Sequence, residues 1–179
     1  MKPPMPLVLY SGTLNRELGI GELIEAFSKM PGYALWLCGK GDMEMEVQKA
    51  CDTHPNLRYF GFVSQKKTLS LQSQADALIN PRRGDGLFTK YSFPSKTLEY
   101  MRSGKPVLCY RLEGIPEDYD PYLTYISDDN GIQAAVQRIF AFSFEERRKI
   151  GEAARNYVLT QKNADMQCGK LLLFMRGLG

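Results

Sequence analysis

Residues 93–107 read Phe-Pro-Ser-Lys-Thr-Leu-Glu-Tyr-Met-Arg-Ser-Gly-Lys-Pro-Val. They bring a helix start, a cation and a carboxylate within a few residues of one another. Pro94 and Ser95 open a helix, Ser103-Gly104 closes it, and Lys105-Pro106-Val107 leads into a buried strand. The first turn of a helix leaves backbone N–H groups without intrahelical partners. With Lys96 beside them, these groups suit an anion such as a phosphate. Glu99, one turn further along, repels that phosphate. As an ionised carboxylate it only accepts hydrogen bonds, which suits it to the hydroxyls of an attached sugar. One short segment can therefore grip a nucleotide at two points.

Three further loops carry residues of interest. Asn80-Pro81-Arg82-Arg83-Gly84-Asp85-Gly86-Leu87-Phe88-Thr89-Lys90 runs straight into that helix. Its arginines can meet a diphosphate bidentately. Taken alone it reads as a solvated charged loop; its position before the helix favours the phosphate. Gly12-Thr13-Leu14-Asn15-Arg16-Glu17-Leu18-Gly19 and Gly39-Lys40-Gly41-Asp42 each follow an apolar run. Taken singly, the first is equally an ordinary turn, and the second, which falls short of the three-glycine dinucleotide fingerprint, reads as a plain turn more often than not. The single histidine, His54, precedes a proline, and Cys38, Cys51, Cys109 and Cys168 are scattered. This argues against a His-rich metal centre or a Cys-His dyad. Cys38 and Cys109 lie in apolar runs and read as reduced core thiols.

The elements that must position these residues follow from the hydrophobic pattern. The chain has 179 residues, 44% of them hydrophobic, and a formal net charge of +3. That is enough chain for a proper core and too weak a charge to suggest nucleic acid. No apolar run approaches the ~18 residues of a membrane span. Short apolar runs alternate with helical patterns. Strands are expected over 7–10, 33–38, 57–62, 77–79, 106–110 and 122–126. Helices are expected over 19–30, 42–51 (Asp42 as N-cap), 64–74 (Ser64 as cap), 94–102, 132–142, 144–159 and 164–175. This alternation predicts an α/β fold, a doubly wound parallel sheet of Rossmann-like type with helices on both faces. Such sheets bind ligands beyond the carboxyl ends of their strands, where all the loops above fall. The apolar run Leu171-Leu172-Leu173-Phe174-Met175 shares its helix with Lys170 and Arg176 and reads as a core-facing or domain-facing stripe.

Four segments, taken together, resemble the C-terminal, donor-binding half of the GT-B fold retaining glycosyltransferases of the polysaccharide-biosynthesis type. They are Tyr10-Ser11-Gly12-Thr13-Leu14 with the helix from Gly19, Leu35-Trp36-Leu37-Cys38-Gly39-Lys40-Gly41, Asn56-Leu57-Arg58-Tyr59-Phe60-Gly61-Phe62-Val63, and the run 93–107. The resemblance implies transfer of a sugar from a nucleoside-diphosphate sugar to a hydroxyl acceptor. The acceptor would be a saccharide or a lipid-linked saccharide in cell-surface polysaccharide or glycoconjugate synthesis. It implies Gly12 and Thr13 bordering the diphosphate, and Gly39, Lys40, Gly41, Phe62 and Val63 near the base or ribose. Backbone groups at Pro94, Ser95 and Lys96 would meet the diphosphate, Phe93 and Thr97 would belong to the same donor-binding site, and Glu99 would accept from the ribose hydroxyls.

Departures from the family pattern matter as much. Thr13 and Leu18 stand where many members carry an arginine and a lysine that clamp the leaving diphosphate. Tyr91 stands where many carry the first of two glutamates. Arg82 and Lys96, with Lys90 and Arg16 as further candidates, are expected to take over the charge compensation. No cofactor and no metal are expected, since no acidic metal-binding cluster is evident. Residues 1–5 read as a linker remnant and 6–179 as one donor-binding domain. Its C-terminal helix over 160–179 would pack on an N-terminal domain that supplies the acceptor site. An isolated half would be inactive. The resemblance places the full protein in the cytoplasm, with peripheral association at the inner face of a membrane; the weak net charge argues against a nucleic-acid partner. The alternative is a non-catalytic nucleotide-sugar-binding module; the missing three-glycine fingerprint argues against a nicotinamide enzyme.

Overall fold

The computed structural model of the chain describes residues 2–84, 94–127 and 131–163, with the single positions 166, 168, 172, 174, 175 and 177. Apolar runs form the strands. β1 (Leu7–Ser11), β2 (Ala34–Cys38), β4 (Ala77–Asn80) and β5 (Val107–Tyr110) are buried at every position, as strands covered on both faces must be. The flanking β3 (Leu57–Tyr59) and β6 (Thr124–Ile126) are only partly buried. All pairings are parallel and the order is β3-β2-β1-β4-β5-β6, a Rossmann-like α/β sheet.

The helices are α1 (Ile20–Ser28), α2 (Glu44–Thr53), α3 (Gln65–Gln74), α4 (Ser95–Arg102), α5 (Gly131–Ala141) and α6 (Phe144–Gln161). α1 contacts α2 and α5, while α4 packs against α6. Right-handed crossovers running in opposite directions from the centre of the sheet put these groups on opposite faces. α3 starts on the hydroxyl of Ser64, which accepts the Lys67 N–H. α6 starts on a reciprocal Ser143–Glu146 capping box. Side-chain oxygens thus satisfy first-turn donors. α6 also runs so close to the end of α4 that a Cβ on Gly151 would sit 2.0 Å from the Gly104 carbonyl oxygen.

Several expected boundaries shift. The strand expected over 57–62 ends at Tyr59. The chain leaves the sheet at Gly61, whose φ of +69° belongs to the left-handed region. Asp42 does not cap α2; Met43 holds that position, because the Asp42 carboxylate accepts the backbone N–H of Arg16 at 3.1 Å across the loop. The start of the strand expected over 122–126 is instead a 3₁₀ turn, Glu117–Tyr122, with Pro121 inside it, and β6 begins at Thr124. The helix expected over 164–175 falls largely outside the described residues. Met166, Leu172, Phe174 and Met175 are described there, and all four are exposed.

Candidate functional site

β1 and β4 lie side by side at the centre of the sheet, and the chain leaves them toward opposite faces. A crevice must open beyond their carboxyl ends. A cavity of about 310 Å³ lies there, lined by Ser11, Gly12, Thr13, Cys38, Gly39, Lys40, Phe62, Val63, Thr68 and Lys96.

Its first wall is backbone. The Gly12 N–H donates to the Cys38 carbonyl at 3.0 Å, Leu14 N–H to Lys40 O at 2.9 Å, Met43 N–H to Leu14 O at 2.9 Å and Gly39 N–H to Gly61 O at 3.0 Å. The loops after β1, β2 and β3 are thereby welded together. Gly39 is at φ +141°, and a Cβ on it would meet the Gly12 carbonyl oxygen at 1.7 Å. Two phenols brace this wall. Tyr10 donates to the Thr13 carbonyl at 2.6 Å. The Tyr59 hydroxyl lies 2.8 Å from the Gly39 carbonyl and 3.2 Å from Glu44 Oε2. Burial, then the Glu44 carboxylate, pushes the Tyr59 phenol up to about 12, so its one O–H is kept to serve these two acceptors.

The second wall is side chain. Lys96 Nζ, on the first turn of α4, donates to Glu99 Oε2 at 2.7 Å. Gln72 Nε2 donates to Glu99 Oε1 at 2.9 Å and to Ser11 Oγ at 3.3 Å. Ser11 is held in turn by buried Tyr100, whose hydroxyl accepts the Ser11 N–H at 2.8 Å and donates to its carbonyl at 3.0 Å. Asn80 Nδ2 donates to Thr97 Oγ1 at 3.2 Å and ties α4 to β4. At the lip, Lys40 Nζ stands 5.0 Å from the ring centroid of Phe62, which is 73% exposed. An exposed aromatic face with a cation above it can stack a planar group. Burial pushes the Cys38 thiol up to about 11, so it lines the cavity as a neutral group and not as a nucleophile.

The structure gathers Gly12, Thr13, Gly39, Lys40, Phe62, Val63 and Lys96 around this one cavity. Ser95 and Glu99 line a neighbouring cleft of about 610 Å³ between α3 and α4, and Lys96 bridges to the first cavity through its ion pair with Glu99. Pro94 and Thr97 are buried supports of α4. Gly41 serves the turn: a Cβ there would lie 2.4 Å from Leu14 O, and its N–H donates to Glu44 Oε1 at 3.0 Å. Arg82 is half-buried just past β4 and does not line the cavity. Arg16 turns away to Glu46, at 3.2 Å. Arg83 Nη2 lies 3.1 Å from the Tyr110 hydroxyl. Phe93, Lys90 and Tyr91 lie outside the described residues. Ser11, Cys38, Thr68, Gln72 and Tyr100 were not anticipated. A signal existed for two of them: Thr68, Leu71, Gln72 and Ala75 follow the i, i+3, i+4, i+7 spacing of a buried helix face. Among the described residues no group of three or more His, Cys, Asp or Glu side chains could hold a metal ion. No helix among them is long and apolar enough to cross a membrane.

The fold and site define a Rossmann-like α/β domain with a cleft at its switch point lined by glycine backbone, two lysines and an aromatic face. Its sequence goes further: the chain belongs to the family Glycosyl transferases group 1, whose profile matches residues 2–157. It is 24% identical over 160 residues to the sulfoquinovosyl transferase SQD2 of Arabidopsis thaliana, covering 86% of this chain and 30% of that protein. Among solved structures it superposes on sucrose-phosphate synthase from Thermosynechococcus elongatus with a TM-score of 0.70 at 24% identity, covering 98% of this chain and 47% of that one. It also superposes on the C-terminal domain of the glycosyl transferase group 1 family protein LpcC from Francisella tularensis. There the TM-score is 0.65 at 17% identity, covering 89% and 87%. The chain thus spans less than a third of the curated relative.

Proposed function

We propose that this chain is the donor-binding domain of a retaining glycosyltransferase. The enzyme would transfer a sugar from a nucleoside-diphosphate sugar to a hydroxyl acceptor in the synthesis of a cell-surface polysaccharide or glycoconjugate. The observation that carries the reading is the meeting of Gly12, Gly39, Lys40 and Lys96 on one cavity at the switch point. The glycine wall lets a ligand approach backbone, and the two ammonium groups supply positive charge for a diphosphate. When the bond between the anomeric carbon and the phosphate oxygen breaks, its electron pair leaves with the nucleoside diphosphate. Lys96 stabilises that charge without a metal, and Arg82, on the loop just past β4, is the second cation proposed to contribute. The acceptor and any base that receives its proton belong to an N-terminal domain in the full-length protein, which works in the cytoplasm at the inner face of a membrane. The chain alone is then a binding domain without turnover.

Support for this arrangement comes from the match to an isolated C-terminal domain of a group 1 transferase at 87% coverage. A second reading, a non-catalytic nucleotide-sugar-binding module, is favoured by Thr13 and Leu18 at the clamp positions. Arg82→Ala and Lys96→Ala, each alone in the full-length protein, test the choice. The enzyme reading expects donor affinity or turnover to fall in at least one of them. If neither changes, the charge compensation assigned here is wrong; a full-length protein that binds the donor and shows no turnover favours the module reading.

A further inference from the structure

We propose that Gln72 is a positioning residue for Glu99. Gln72 fixes one carboxylate oxygen, while Lys96 leaves the other oxygen for the phosphates of an arriving nucleoside diphosphate and frees it for the ribose. The inference rests on the donor-site reading above and adds to it the group that decides whether ribose is recognised.

The two partners of Glu99 differ in kind. Gln72 is 2% exposed. A carboxylate only accepts, so the amide must turn its NH₂ toward Glu99, and the same nitrogen reaches Ser11 Oγ. Ser11 belongs to β1 and is clamped through its N–H and carbonyl by the fully buried Tyr100 hydroxyl. Withdrawing Gln72 would strand polar groups in a buried place, which is costly. The anchor therefore runs unbroken from the sheet to Glu99 Oε1.

Lys96 is held differently. The side chains of the Lys96–Glu99 pair are 34% and 42% exposed, so the pair is partly solvated and weakly held. The lysine already lines the cavity assigned to the diphosphate. A diphosphate offers that ammonium more negative charge and more acceptor oxygens than one carboxylate does. Lys96 can make the exchange by rotating its own stem, and Glu99 need not move because Gln72 keeps it in place. Glu99 Oε2, released, then accepts from a ribose hydroxyl. Phosphate affinity is thus assigned to Lys96 and ribose selectivity to Gln72.

The test uses calorimetry on this chain with uridine and guanosine diphosphates and their 2′,3′-dideoxy counterparts, in the wild type and in Gln72→Met, which keeps length but cannot donate. The wild type is expected to prefer the ribonucleotide by about tenfold, the worth of one hydrogen bond to a charged group. In Gln72→Met that preference should shrink to about twofold while dideoxy affinity stays put, because only the ribose contact is lost. An unchanged preference, or an equal fall in both affinities, overturns the proposal, since a merely structural glutamine would weaken all ligands alike. A wild type that takes up no nucleoside diphosphate overturns the donor-site reading itself and the proposal with it. Should Gln72→Met fail to fold, the wild type decides by NMR. On nucleotide addition the Gln72 side-chain amide signals should stay in place while those of the Lys96 ammonium and side chain move; displaced Gln72 signals with static Lys96 signals overturn the proposal.

Discussion

The two walls of the cleft are built on opposite plans. Gly12, Gly39 and the loops after β1, β2 and β3 form a wall of backbone, fixed by main-chain hydrogen bonds and by a contact that leaves no room for a Cβ. Gln72 on α3 and Lys96 and Glu99 on α4 form a wall of side chains, in which Lys96 can trade partners without moving its helix. The backbone wall cannot be altered without damaging the fold. The solvated end of the side-chain wall, Lys96, can be lost and the fold kept, so it is where affinity is free to vary among sequences that share the sheet.

Gly39→Ala tests the contrast most severely. The new methyl would collide with a backbone carbonyl at a φ that side chains rarely adopt. We expect a loss of about 3–5 kcal/mol of stability, read by urea unfolding, or failure to fold. Near-wild-type stability would show that the backbone wall is soft. Lys96→Met comes next. It should weaken nucleoside-diphosphate binding about 10–100-fold and shift unfolding by less than about 1 kcal/mol, because its ion pair is partly solvated. A variant that loses stability and not affinity would reverse the roles of the walls.

Gly151→Ala sharpens the comparison from outside the cleft. It creates a similar collision, against the Gly104 carbonyl where α6 crosses α4. We expect about 1–3 kcal/mol of destabilisation with nucleotide affinity unchanged. A fall in affinity would mean that the side-chain wall depends on α6.

The smallest effect is a pH slope. Burial raises the Cys38 thiol from 9.0 to about 11 and, with the Glu44 carboxylate, raises Tyr59 from 10.0 to about 12. These groups are neutral when protonated, so above pH 9 the unfolded chain releases protons that the folded chain retains. Their contribution is complete below pH 9 and is lost as pH rises toward about 11 and 12. Cys38 would lower stability by up to about 1.4 kcal/mol per pH unit within its window, and Tyr59, more open to solvent, by less. Cys38→Ala should flatten the slope between pH 9 and 11 in urea melts; an unchanged slope would remove Cys38 from the account.

Much of this was legible in the sequence, for reasons that differ between the walls. The alternation of apolar runs and helical patterns specified the sheet, because parallel strands buried on both faces must be apolar throughout. Gly12, Gly39 and Lys40 could be placed at a carboxyl edge from their position after strands alone. The turn at Gly61 was harder. Nothing in Phe60-Gly61-Phe62 distinguishes a strand that continues from one that ends at a left-handed glycine. Asp42 looked like a helix cap and instead binds the Arg16 backbone across the loop, a partnership that only tertiary contact creates. The helical spacing marks Gln72 as inward-facing, but its role was missed because its partners, Ser11 and Glu99, lie 61 and 27 residues away in the chain. Glu99 was read as awaiting a sugar hydroxyl; the structure gives it two protein donors first.

The central claim is that a nucleoside diphosphate sits between the Gly12–Gly39 backbone and Lys96. The most direct measurement is a ¹H–¹⁵N correlation map of this chain during addition of uridine or guanosine diphosphate. The account expects the largest shifts at the backbone amides of Gly12, Gly39, Lys40, Val63 and Lys96, saturating together. Shifts clustered elsewhere on the fold, or a map that no nucleoside diphosphate perturbs, would contradict it.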